Sequence, residues 1–178
     1  MEKLLKIFAV LRKILESTTW KWFQPKDWQN LEDLDKWEEV REYYPEQFSQ
    51  VLAKYPYKYD KVQGLLDNTH PIDDPQYFFK NLDTDRDCDN WAREWVAYYR
   101  YHNMPCQEWI VTNKQHPFTQ SHLIAVANEG DGWRLLNYDR YPNAHETVEE
   151  AIDDIETFNS GNYAKDVRLQ CLYRDWPT

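Results

Sequence analysis

Cysteine is scarce in this chain and its count is odd: Cys88, Cys106 and Cys171 among 178 residues. So sparse a set is no disulfide framework, and without a Cys-x-x-Cys pair it has no zinc-site spacing either. An excess of positive charge is also missing. The formal net charge is -10 and the isoelectric point is near 4.9. The one basic cluster is Lys3, Lys6, Arg12 and Lys13. Phosphate binding needs a basic face, so nucleic acid is excluded as the main partner. No apolar run reaches the length of a membrane span. Residues 4–15 are interrupted by Lys6, Arg12 and Lys13, with no small-residue cleavage site after them, and do not read as a signal peptide. Internal repeats and low-complexity segments are absent too. Together these gaps point to a reduced, cytoplasmic setting (a virion or host cytoplasm for a viral protein), in which a catalytic thiol persists.

What is abundant is aromatic surface. Phe, Trp and Tyr make up 16% of the chain, with nine Trp and thirteen Tyr, far too much apolar area for a disordered polypeptide. The length suits one domain with a proper core and a helical appendage. Residues 2–17 read as an amphipathic helix with Leu4, Ile7, Phe8, Leu11, Ile14 and Leu15 on one face. Four cations ahead of an acidic body favour packing on the core or on a protein partner over a membrane surface. Residues 27–44 read as a second helix through Trp28, Leu31, Leu34, Trp37 and Val40, ended by Pro45. A short helix follows at 46–55. Residues 56–82 carry four Pro or Gly breakers and read as loop, with a helical turn at 76–81.

The second half alternates more clearly. A helix is expected at 89–102, closed by Asn103-Met104-Pro105, and strands at 106–112, 121–128 and 133–138. Asn128-Glu129-Gly130-Asp131-Gly132 is a hairpin loop. A helix starts at Glu146 or Thr147 and runs to 158, and a final strand spans 166–173. The expected class is α+β, with an N-terminal helical region over 1–71 and a core over 72–178. In that core a helix carrying Cys88 lies against a small antiparallel sheet.

Cys88 stands where an acidic loop enters its helix, in Asp87-Cys88-Asp89-Asn90-Trp91-Ala92. A helix start presents unpaired N–H groups and positive potential, which favour a thiolate. Asp87 and Asp89 work against it. A base is needed, and His122 suits best. It lies on a strand where Ile124 and Val126 share its face, and that face is expected to look toward the Cys88 helix. His70 and His116 precede prolines in loops, His102 ends a helix and His145 lies in a turn. The third member follows from the hairpin. A loop of 128–131 sets His122 opposite Asn137, a loop of 129–132 sets it opposite Asp139, and a loop of intermediate parity sets it opposite Tyr138, which would weaken the case.

The ordered set resembles the transglutaminase-like cysteine peptidase superfamily, related in architecture to papain. The nucleophile motif, typically Gly-Asp-Cys-Asp-Asp and then an aromatic and a small residue, reads Arg86-Asp87-Cys88-Asp89-Asn90-Trp91-Ala92. Asn103-Met104-Pro105 takes the place of a Gly-Ile-Pro-like step. Ser121-His122-Leu123-Ile124-Ala125-Val126 resembles the histidine strand, and Gly132-Trp133 through Asn137 the hairpin that follows. The resemblance covers roughly 72–140. Arg86 departs from the usual glycine, so the approach to the nucleophile must be built differently. Asn137 stands where an acid is commonest, although papain-like enzymes use Asn. The resemblance implies attack by the Cys88 thiolate on a carbonyl of a peptide or protein substrate, through a thioester, as a peptidase, amidase, deamidase or transglutaminase. The Cys88 N–H and a second donor would hold the oxyanion, with Gln76 and Asn81 the nearest upstream amides. It calls for no metal or organic cofactor. The competing expectation is an inactive relative, such as a phage or virion accessory protein. Such a protein would use Trp20, Trp22, Trp28 and Trp37 as a surface for a protein partner rather than as core.

Overall fold

A computed structural model of the chain describes residues 30–57, 74–80, 86–112, 121–158 and 167–171. The expected helix at 2–17, Trp20, Trp22, Trp28, His70, Asn81 and His116 lie outside these. The described residues form a mixed fold of helices and antiparallel strands. In order these are α1 (Trp37–Val40), α2 (Pro45–Leu52), a 3-10 helix (Pro75–Phe79), α3 (Cys88–Tyr101), β1 (Cys106–Thr112), β2 (Ser121–Asn128), β3 (Trp133–Leu136), α4 (Val148–Phe158) and β4 (Val167–Cys171).

The strands make one sheet in the order β3-β2-β1-β4, each pair antiparallel. β2 pairs with β1 from Cys106↔Ala127 to Thr112↔Ser121. Strand alternation then sorts the side chains to two faces. Ile110, Leu123, Ala125, Ala127 and Leu136 face α3, and Val111, Ile124, Val126 and Leu135 face α4. Helix α4 contributes Ala151, Ile152 and Ile155 at helical spacing. Its start is a capping box: Thr147 Oγ1 accepts from Glu150 N at 3.2 Å, and Glu150 Oε2 accepts from Thr147 N at 3.1 Å.

Helix α3 is buried along nearly its whole length. Its aromatic stripe meets α2 and the 3-10 helix through stacked and edge-to-face ring contacts. Phe48 stacks on Tyr98 at 4.2 Å between centroids and meets Trp95 at 5.2 Å, and Phe78 meets Trp91 at 5.4 Å. Each such pair adds about 1 kcal/mol beyond its area burial. The described part of the N-terminal region therefore shares a single core with α3, and Trp37 is core, 8% exposed. A buried ion pair, Arg93 Nε to Glu108 Oε1 at 3.1 Å, fixes α3 against β1. The helix ends through Asn103 at φ 55°, with Met104 N donating to Tyr99 O, the left-handed exit expected before Pro105.

The expected helix at 27–44 is reduced in its described part to a single turn, α1, and Leu34 is half exposed. The chain before that turn is drawn into tertiary bonds. Leu34 N donates to Phe79 O, Asp33 bridges to Lys80, and Tyr55 Oη donates to Asp35 Oδ2 at 2.7 Å. The strand expected at 133–138 stops at Leu136, because residues 137–139 turn and Arg140 returns to bridge with Leu136.

Candidate active site

Cys88 is the first residue of α3 and is half-buried. Asp87 is the N-cap. Its carboxylate accepts from Asp89 N at 3.4 Å, and Asn90 Oδ1 accepts from Asp87 N at 3.2 Å. This capping box commits the Asp87 charge to the helix N–H groups, which limits its effect on the neighbouring thiol. Arg86, where the resemblance leads one to expect a glycine, is buried. Its Nε donates to Phe78 O at 2.7 Å, another guanidinium N–H donates to Lys80 O, and the cation lies 4.8 Å from the Tyr55 ring centre. The approach to Cys88 is thus tied to the 3-10 helix by a side chain instead of being shaped by a glycine turn.

His122 is 2% exposed, and its Nε2 lies 2.8 Å from Asn137 Oδ1. An amide oxygen only accepts, so Nε2 carries the proton and Nδ1 keeps its lone pair as the basic nitrogen. Burial depresses the imidazole pKa to about 4, against the opposing pull of the Asn137 hydrogen bond and the Asp89 charge. At neutral pH the ring is therefore an uncharged base.

The strand face expected to carry His122 toward the Cys88 helix looks the other way, because Val111, its partner on β1, packs on the α4 side. Ile124 and Val126 face α4, while α3 packs on Leu123, Ala125 and Ala127. The hairpin loop is 129–132, the register that would set Asp139 opposite His122 if β3 ran on. β3 pairs only with Ala125–Asn128 and stops, and the turn at 137–139 brings Asn137 to the imidazole. Asp139 looks elsewhere. Its Oδ1 accepts from Ser49 Oγ and from Arg140 N.

Tyr138 links the parts. Its ring centre lies 5.6 Å from that of His122, 5.9 Å from Trp91 and 4.9 Å from Tyr57, and it packs with Cys88 against the α3 core. Burial and the neighbouring Tyr138 hold the Tyr57 hydroxyl far above its usual pKa. Tyr57 is 37% exposed, so a ladder of rings leads from the buried imidazole to the surface beside the thiol. Tyr57 had no local sequence signal, being remote along the chain and placed only by the fold.

The other sequence candidates are occupied elsewhere. The Gln76 amide accepts from Trp37 N at 2.7 Å and donates to Asp35 O and Asp33 Oδ1, so it secures the start of α1. His102 Nε2 contacts Arg41 O, and His145 Nε2 contacts Asp154 Oδ2, each away from the thiol. Cys106 is buried, and burial pushes its thiol well above the ordinary range. Among the described residues no group of His, Cys, Asp and Glu is arranged to hold a metal ion, and no helix is long and apolar enough to cross a membrane. Comparison with protein-family models, with curated proteins and with solved structures finds no match.

Proposed function

We propose that the chain is a cysteine hydrolase of the peptidase or amidase kind, built on a transglutaminase-like and papain-like core, with Cys88, His122 and Asn137 as its triad. The observation that carries this reading is the buried 2.8 Å contact between His122 Nε2 and Asn137 Oδ1, on an imidazole that also feels the charge of Asp89 in the first turn of the Cys88 helix. In the reaction, His122 Nδ1 takes the Cys88 proton and the sulfur attacks the substrate carbonyl carbon. The Cys88 N–H, at the first position of the helix, faces the developing oxyanion. The imidazolium gives its proton to the leaving amine as the carbon–nitrogen bond breaks. Water then attacks the thioester with His122 as base, releasing the acid and restoring the thiol. An amine in place of water would give transamidation.

Alkylation by iodoacetamide across pH tests this. Cys88 should react well below the ordinary thiol pKa of about 8.5, and His122→Ala should abolish that low-pH reactivity while Cys106 stays unlabelled in the folded protein. Amine incorporation into a glutamine peptide then separates transglutaminase from hydrolase. A second reading, an inactive scaffold that retains the fold, is favoured by one observation: Asp87 and Asp89, both buried, flank the thiol and oppose its ionisation. An ordinary thiol profile for Cys88 would establish that reading instead.

A further inference from the structure

We propose that Ser49 and Asp139 are positioning residues for the His122 imidazole, which makes α2 part of the site; this rests on the triad reading above. The turn that carries Asn137 is small. It is closed by Asn137 N donating to Asp139 O at 3.0 Å and bounded by the Leu136↔Arg140 bridge. Planar peptides in so short a turn move together, so the setting of Asp139 determines that of Asn137. Asp139 is gripped from α2. Its Oδ1 accepts from the Ser49 hydroxyl and, at 2.8 Å, from Arg140 N, which also lies 3.2 Å from Ser49 Oγ. Ser49 is itself buried.

The residue after the turn is fixed from two further directions. The Arg140 guanidinium holds Glu129 through two bonds, 2.8 and 2.5 Å, and lies 3.1 Å from Glu46 of α2. On the core side Trp95 Nε1 donates to Asn137 O at 3.2 Å. With its backbone held at both ends, Asn137 has its amide directed at His122. A cavity of about 250 Å³, lined by Glu46, Ser49, Gln50, Ala53, Asp139 and Arg140, adjoins the clamp. It gives the turn room to shift once the Ser49–Asp139 bond is removed.

The test is nitrogen NMR of the His122 ring together with the pH profile of Cys88 alkylation, in Ser49→Ala, Asp139→Ala, Ser49→Thr and Asp139→Asn. In the first two, the Nε2–H tautomer should give way to a mixture. Alkylation at neutral pH should fall roughly 10- to 100-fold, as a misplacement of about 1 Å costs a catalytic geometry. The conservative variants keep a hydroxyl donor or an amide acceptor and should recover most of both signals. A wild-type tautomer and pH profile in Ser49→Ala, even with a lowered melting temperature, would overturn the proposal by reducing the clamp to a structural contact. A tautomer that changes as expected while wild-type Cys88 titrates like an ordinary thiol would uphold the clamp and sink the hydrolase reading.

Discussion

The two faces of the sheet are built from different materials. The buried centre of the α4 face is aliphatic, with Ile124, Val126, Leu135, Ile152 and Ile155, and Trp109, Trp133 and Tyr141 pack on it only partly buried. The α3 face is aromatic and also encloses Asp89, Asn90 and Glu94. Aliphatic side chains exclude water without directing anything. Rings carry polar handles and prefer edge-to-face geometry, so they orient as they pack. Trp95 Nε1 reaches Asn137 O, and Tyr98 Oη reaches Tyr43 O. The candidate site lies where the aromatic face can hold backbone groups in place, and damage there should alter chemistry as well as stability.

The largest expected effect comes from Trp95→Ala. It removes a fully buried ring in contact with Phe48, Tyr98 and Tyr99 and should cost about 3–5 kcal/mol in denaturant unfolding. Cys88 reactivity should fall too, because Asn137 O loses its donor. Next comes acid. Above pH 6.5 His122 is neutral whether folded or unfolded. Below that the unfolded chain takes up a proton that the folded site refuses until about pH 4. Stability should therefore drop as pH falls through this window, by up to about 3 kcal/mol from this group. His122→Gln should flatten the upper half of that slope, where carboxylates do not yet titrate. An unchanged slope would show that the imidazole is not held neutral. The smallest effect belongs to the other face. Ile152→Val should cost about 1 kcal/mol and leave the alkylation profile of Cys88 unmoved. If it shifted that profile, the division between the faces would be wrong.

Elements whose pattern is set by their own burial were legible in the sequence. Helix α3, strands β1 and β2, the hairpin loop and helix α4 appear within a residue or two of expectation. The failures share a cause. Apolar spacing at 28–40 suggested a long helix, yet Asp33, Leu34 and Asp35 find partners on Phe79, Lys80 and Tyr55, which no local pattern announces. His122 was chosen for its strand face and Asn137 as one of two outcomes of hairpin parity; the structure joins the two residues, while the face shared with Ile124 and Val126 turns out to look toward α4. Parity alone would have favoured Asp139 in the observed register. What parity could not convey is that β3 ends at Leu136 and that a turn replaces the next strand pair. Gln76 was chosen for its position upstream of the thiol, while its amide answers to the backbone of α1.

Arg86 has a consequence for how the site tolerates its surroundings. The acceptors it holds, Phe78 O and Lys80 O, are neutral carbonyls. A guanidinium keeps its proton through the physiological range even where burial lowers its pKa. Buried bonds of this kind are screened little by salt. The path leading to the thiol should thus hold its shape in acid and in brine for as long as the fold survives. Sensitivity to the medium is left to the imidazole, so on the hydrolase reading proposed above the placement of Cys88 and its activation can be tuned independently.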